Sequence, residues 1–244
     1  MTTYKFKILG VVMKIFSLCL ASALLTTCAL AHQIVASKKE NSYEAIYWNH
    51  EAFEPYTKEQ LKGVKAFGVN GKVVSAGIDY SANIPKILTD AEVGMMSFSF
   101  DAGKWVKGTK GFEYVSPTTQ PKGVIFGTLK SHKFSKTLFS WNEAFSKPIN
   151  LYMEIVPLVN PLNVKVGETF PVLVLKEGVP LANAGFESSD EDEPSYKTDA
   201  YGIAHIPLKK KGLFIVAAKH YAQQFDDPSV DAMTIQSSLS FTVK

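Results

Sequence analysis

Cysteine is nearly absent from this chain. There are two, Cys19 and Cys28, and both lie in the first 31 residues. The body beyond residue 31 therefore has no thiol and no disulfide, so packing must hold it together. That body also lacks any apolar run long enough to span a bilayer as a helix. A Gly-rich phosphate loop, a nucleophile elbow and an HExxH helix are all missing, which removes the usual support for common enzyme chemistries. Charge excess is missing too. The first 31 residues hold Lys5, Lys7 and Lys14 of the 26 basic residues and none of the 23 acidic ones, so the remainder is balanced. A neutral body argues against nucleic acid as the main partner.

What is present begins with a secretory signal. The segment "MTTYKFKILGVVMKIFSLCLASALLTTCALA" has lysines, an apolar run and then Ala29-Leu30-Ala31. Small residues at the last and third-last positions suit signal peptidase. Met13 begins a complete signal of its own, so either methionine serves as the start. "LTTC" places threonine where lipidation of Cys28 wants a smaller residue. The expectation is cleavage after Ala31, a mature chain starting at His32, and a periplasmic address in a Gram-negative host.

Strand signals dominate after residue 32. "SYEAIYW", "VGMMSFSFD" and "GFEYVSP" read as strands, and Asn70-Gly71 between two apolar runs reads as a hairpin turn. "PYTKEQLKGVK" and "SHKFSKTLFSWNEAF" each have room for a short helical turn. From "NLYMEIVPL" onward strands recur at regular spacing. One joint falls at Gly178 and a turn at Asp199 to Gly202. The charged "SSDEDEP", residues 188–194, reads as a solvated loop; it lacks the spaced carboxylates of a calcium loop. The pattern predicts an all-β chain with two antiparallel β-sandwich domains in tandem, residues 32–147 and 148–244.

The second half also carries a family pattern. "EIVPL-NP", "VG-TF", "G-PLANA", "TDA-G---IPL", "A-H" and a final strand, with "GKWVKGTKGFEYVSP" and "SHKFSKTLF" earlier, resemble the DUF4198 family. The "TDA-G" turn and its strand are also found in Ig-like and transthyretin-like modules, so that fold is expected for residues 148–244. The resemblance implies an exported protein. Some members are periplasmic components of energy-coupling-factor (ABC-type) nickel or cobalt transporters, and their mature chains often begin with histidine.

Five histidines remain in the mature chain: His32, His50, His132, His205 and His220. A free N-terminal His32 offers an α-amine and a ring nitrogen that can close a chelate on one ion, with the backbone amide of Gln33 as a third donor. Nitrogen donors suit Ni(II), Co(II) and Cu(II). His50 lies just after a strand and is near enough in sequence to share the site. His220 matches the "A-H" of the family pattern. His132 among lysines reads as surface, and His205 shares a strand face with Ile203 and Pro207. Glu44, Glu51 and Glu54 are candidates for orienting a ring. Tyr47 and Trp48 read as core.

The expected ligand set is therefore His32, Gln33, His50 and His220, holding nickel or cobalt, with copper as the alternative. The expected role is a non-catalytic accessory to a membrane nickel/cobalt transporter. Two alternatives stay open. One is an N-terminal-histidine copper enzyme of the polysaccharide monooxygenase type. The other is an Ig-like module that only binds other proteins.

Overall fold

The computed structural model describes residues 32–40, 42–49, 52–109, 111–115, 123–191, 194–223 and 228–244. The expected signal segment and His50 lie outside the described residues. Within them the chain is almost entirely strand. The order is β1 (Gln33–Lys38), β2 (Tyr43–Asn49), β3 (Ala52–Phe53), β4 (Leu61–Gly68), β5 (Val73–Val74), β6 (Ala76–Asp79), β7 (Lys86–Thr89), β8 (Val93–Gly108) and β9 (Gly111–Val115). It continues with β10 (Ile125–Leu138), β11 (Met153–Pro157), β12 (Thr169–Lys176), β13 (Val179–Pro180), β14 (Gly185–Ser188), β15 (Ile203–Pro207), β16 (Gly212–Gln223) and β17 (Ala232–Val243). Among the described residues, no helix is long and apolar enough to cross a membrane.

Three sheets result. The first has the order β1-β2-β7-β6 with β3 on β2, and the third β11-β12-β13 with β15 on β12. Between them lies an eight-stranded sheet, β14-β16-β17-β10-β8-β4-β5 with β9 on β8. Its two faces are read directly from β8. Met96, Phe98, Phe100 and Ala102 join Ile34, Ala36, Tyr43, Ala45 and Tyr47 of the first sheet in one core. Met95, one residue out of phase, joins Ile155, Phe170, Val172 and Val174 of the third sheet in the other. Period-2 alternation on a strand covered from both sides produces this division.

The expected Asn70-Gly71 hairpin forms between β4 and β5, with Gly71 at φ 77°. "PYTKEQ" makes a turn rather than a helix, and β4 starts at Leu61. "SHKFSKTLFSWNEAF" is mostly strand. β10 runs to Leu138, and only Glu143–Ser146 forms a 3-10 turn, capped by the Asn142 side chain accepting from Ala144 N–H. That turn sits beside the expected boundary at residues 147–148, where the chain passes to the third sheet.

One pairing departs from the antiparallel expectation. β10 and β17 run parallel, from Leu129 against Ala232 to Thr137 against Ser240. The second half of the sequence thus supplies β14, β16 and β17 to the same sheet that β4, β8 and β10 build from the first half. A parallel pair needs a long crossover connection. Here the chain from β11 to β16, which holds the whole third sheet, is that connection.

Buried charge ties the middle and third sheets together. Lys136 on β10 and Glu154 on β11 are 0% and 1% exposed, with Nζ 2.5 Å from Oε1. Glu154 also accepts from Ile149 N–H (2.7 Å) and Leu151 N–H (3.2 Å). Burial holds the Lys136 ammonium below its ordinary value despite the carboxylate beside it.

Candidate functional site

His32 stands at the open end of the first core. Alternation along β1 places it on the face of Ile34 and Ala36. Its ring lies 5.6 Å from that of Tyr47 and 5.9 Å from that of Trp105, centroid to centroid. Nε2 is 2.9 Å from Oε1 of Glu54, with the two side chains 28% and 35% exposed. Glu54 reaches this position because the chain turns back after β3, where its N–H donates to Tyr47 O at 2.9 Å. In the neutral ring with Nε2–H donated to the carboxylate, Nδ1 carries the lone pair.

The aromatic wall is set by a bulge in β8. The register with β10 shifts between Ser131 and His132, and Ala102 is the extra residue. Gly103 takes φ 78°, and its N–H donates to Asp101 Oδ1 at 2.9 Å. A Cβ at Gly103 would lie 2.6 Å from the Tyr114 ring. Glycine therefore permits both the left-handed backbone and the flat approach of Tyr114. Past the bulge, Trp105 anchors its Nε1–H on Ala102 O (2.9 Å) and packs edge-on to Tyr114, with 5.5 Å between centroids.

Gln33, next along β1, faces the other way. It is 2% exposed, and its Nε2 lies 3.4 Å from Oε1 of Gln236 on β17. The same Oε1 accepts from Lys133 of β10. Gln236 Nε2 donates to Glu187 Oε2 (3.2 Å), and Lys219 donates to Glu187 Oε1 (2.7 Å). Burial lowers Lys133 to about 8, opposed by the Glu187 charge. This buried network fastens the start of β1 to the middle sheet. The Gln33 backbone is engaged as well. Ala36 N–H points outward to Thr137 Oγ1 (3.0 Å). By alternation Gln33 N–H points inward, to the ladder with Trp48.

The other histidines lie elsewhere. His220 pairs with Ile235 of β17, and Ile235 belongs to the core under the third sheet. Its neighbour Gln236 faces Gln33, so His220 and β1 occupy opposite faces of the middle sheet. His132 pairs with Ile235 from the other side, two strand spacings or roughly 10 Å from His220. Burial lowers both rings, with Asp101 opposing this at His132 and Lys176 adding to it at His220. His205 is exposed on β15. The structure thus keeps His32 and Gln33 adjacent and separates His220 from them.

In the charged loop, Asp190 accepts from Lys209 and Lys210 N–H (2.7 and 3.0 Å), and Glu191 pairs with Lys209 at 3.0 Å.

Sequence reasoning named Glu54 only as a partner for His50; the return after β3 gives it to His32. Trp105 and Tyr114 were missed as site residues, and the signal available was Gly103 ahead of an aromatic strand. Among the described residues no cluster of three or more His, Cys, Asp or Glu side chains is placed to hold a metal ion. What fits an ion at His32 is narrower. The ring is oriented by a carboxylate through one nitrogen, and the buried hydroxyl of the neighbouring Tyr47 lacks a partner among the described residues. No curated protein and no solved structure matches the chain. The profile of a domain of unknown function, DUF4198, matches residues 28–222, most of the sequence, and the chain belongs to that family.

Proposed function

We propose that this is an exported, periplasmic metal-binding protein that serves nickel or cobalt uptake without a catalytic step of its own. In this reading residues 1–31 are a cleaved signal and His32 is the mature N-terminus. Residues 148–244 form an Ig-like or transthyretin-like sandwich whose last strands complete the middle sheet. The His32 α-amine and Nδ1 are the chelating pair for a divalent ion. The partner that receives the ion is a membrane nickel/cobalt transporter.

The contact that carries this reading is His32 Nε2 to Glu54 Oε1 at 2.9 Å. Histidines that bind metals commonly donate the other ring N–H to a carboxylate, which fixes the tautomer and raises basicity. Glu54 fills that role for a ring whose Nδ1 lies on the same residue as the α-amine. Tyr47 and Trp105 line the ring, and Tyr114 packs on Trp105. His50 lies outside the described residues and stays in the proposal as a candidate further ligand; His220, on the opposite face, does not.

Calorimetry with Ni(II), Co(II) and Cu(II) on protein beginning at His32 tests the reading. One alanine added before His32 abolishes the chelate, and Glu54→Gln weakens binding about 10–100-fold. Equal affinity in the extended protein refutes it. Strong preference for copper, together with peroxide consumption by the copper-loaded protein, supports the enzyme alternative instead.

A further inference from the structure

Tyr47 is 4% exposed and its hydroxyl has no hydrogen-bond partner among the described residues. The neighbouring tyrosines of the same core are treated differently. Tyr56 donates to Ala45 O at 2.8 Å, and the Tyr43 hydroxyl accepts from Val93 N–H at 3.0 Å. A buried polar group left unpaired costs stability, and phenylalanine would fill the same space without that cost. The Tyr47 ring itself is well held, stacked on Phe100 at 4.7 Å and edge-on to Tyr56 at 6.4 Å. The fold therefore fixes the ring while leaving its one polar atom unused.

The ring that carries that atom lies beside His32. The Tyr47 and His32 rings are 5.6 Å apart. Glu54 holds His32, and Tyr114 packs on Trp105 beside it. The phenol offers an O–H donor beside side chains that accept or stack.

We propose that the Tyr47 hydroxyl donates a hydrogen bond to an oxygen carried by the ion bound at His32, either a water or a carboxylate of a small chelator. This rests on the reading of His32 as a metal site. It makes Tyr47 a selector for oxygen-bearing, hydrated ions, and gives the unpaired hydroxyl a partner only in the loaded state.

The test is Tyr47→Phe in protein beginning at His32, with Tyr56→Phe as a control. The expected result for Tyr47→Phe without metal is a melting temperature equal to or above wild type. Its Ni(II) affinity falls about three- to tenfold, the loss of one hydrogen bond. Tyr56→Phe lowers the melting temperature and leaves affinity unchanged. Unchanged affinity in Tyr47→Phe overturns the proposal. So does a lower melting temperature of its metal-free form, which would mean the hydroxyl serves the fold. A charge-transfer band in wild type that vanishes in Tyr47→Phe would make Tyr47 a direct ligand and also overturn it. If wild type and the alanine-extended protein bind equally, the His32 reading fails first; if they differ while Tyr47→Phe matches wild type, only this inference fails.

Discussion

Replacing Lys136 by methionine removes the positive member of the ion pair buried between the middle and third sheets. Methionine matches the stem of the lysine, so little packing volume is lost. The cost falls on Glu154, which is 1% exposed and loses its counter-charge at 2.5 Å. It keeps the N–H groups of Ile149 and Leu151, and two donors do not replace a full positive charge. Breaking such a pair from one side costs about 3–5 kcal/mol. Against a net stability of roughly 5–15 kcal/mol, that is a large fraction. For a chain of this size it lowers the melting temperature by about 6–20 °C. Adding Glu154→Gln removes the orphaned charge while keeping a carbonyl oxygen for one backbone donor. The double variant recovers about 2 kcal/mol or more, a coupling that a double-mutant cycle in urea measures directly. A single Lys136→Met variant within about 1 kcal/mol of wild type, or a double variant no more stable than the single, refutes the reasoning.

Lys133 makes stability depend on pH. Its folded value, about 8, lies below the ordinary 10.5. The unfolded chain thus binds more protons between them, and stability rises with pH across that window. The contribution is complete above 10.5 and is lost as pH falls through 8, on the order of 3 kcal/mol in all. Urea melts of wild type gain stability from pH 7.5 to 9.5, and Lys133→Met flattens the trend; parallel curves would refute the assignment. Gly103→Ala forces a Cβ against the Tyr114 ring at positive φ. It costs about 1–3 kcal/mol and changes tryptophan fluorescence through Trp105; an unaltered spectrum and melting point would show that the bulge tolerates a side chain.

Features with local causes were legible in the sequence. Asn70-Gly71 turns because Gly71 takes φ 77°, which glycine adopts freely. Asp199 turns because its carboxylate accepts from Tyr201 and Ile203 N–H, both at 2.9 Å. The shared sheet was not legible, because strand periodicity is the same for parallel and antiparallel neighbours. The lysines of "SHKFSKTLF" gave a misleading signal for the same reason. They resemble a solvated strand face, yet Lys133 is buried toward β1 and Lys136 toward β11. Only the placement of β10 at the centre of a sheet covered on both sides explains that. At the candidate site, His32 was singled out by its position after the expected signal segment. Its partner was not, since Glu54 arrives through a backbone return 22 residues away.

The parallel seam between β10 and β17 also governs the order of folding. Thr137 and Ser240 meet across 103 positions of chain. Until β17 has emerged, β10 and β16 both present open edges in the middle of the largest sheet. Contacts of such long range are slow to form, and exposed edges invite pairing with other chains. Until then the largest sheet is divided, with β4, β8 and β10 on one side and β14 and β16 on the other. Under the export proposed above, that division leaves the largest sheet unfinished while the chain crosses the membrane.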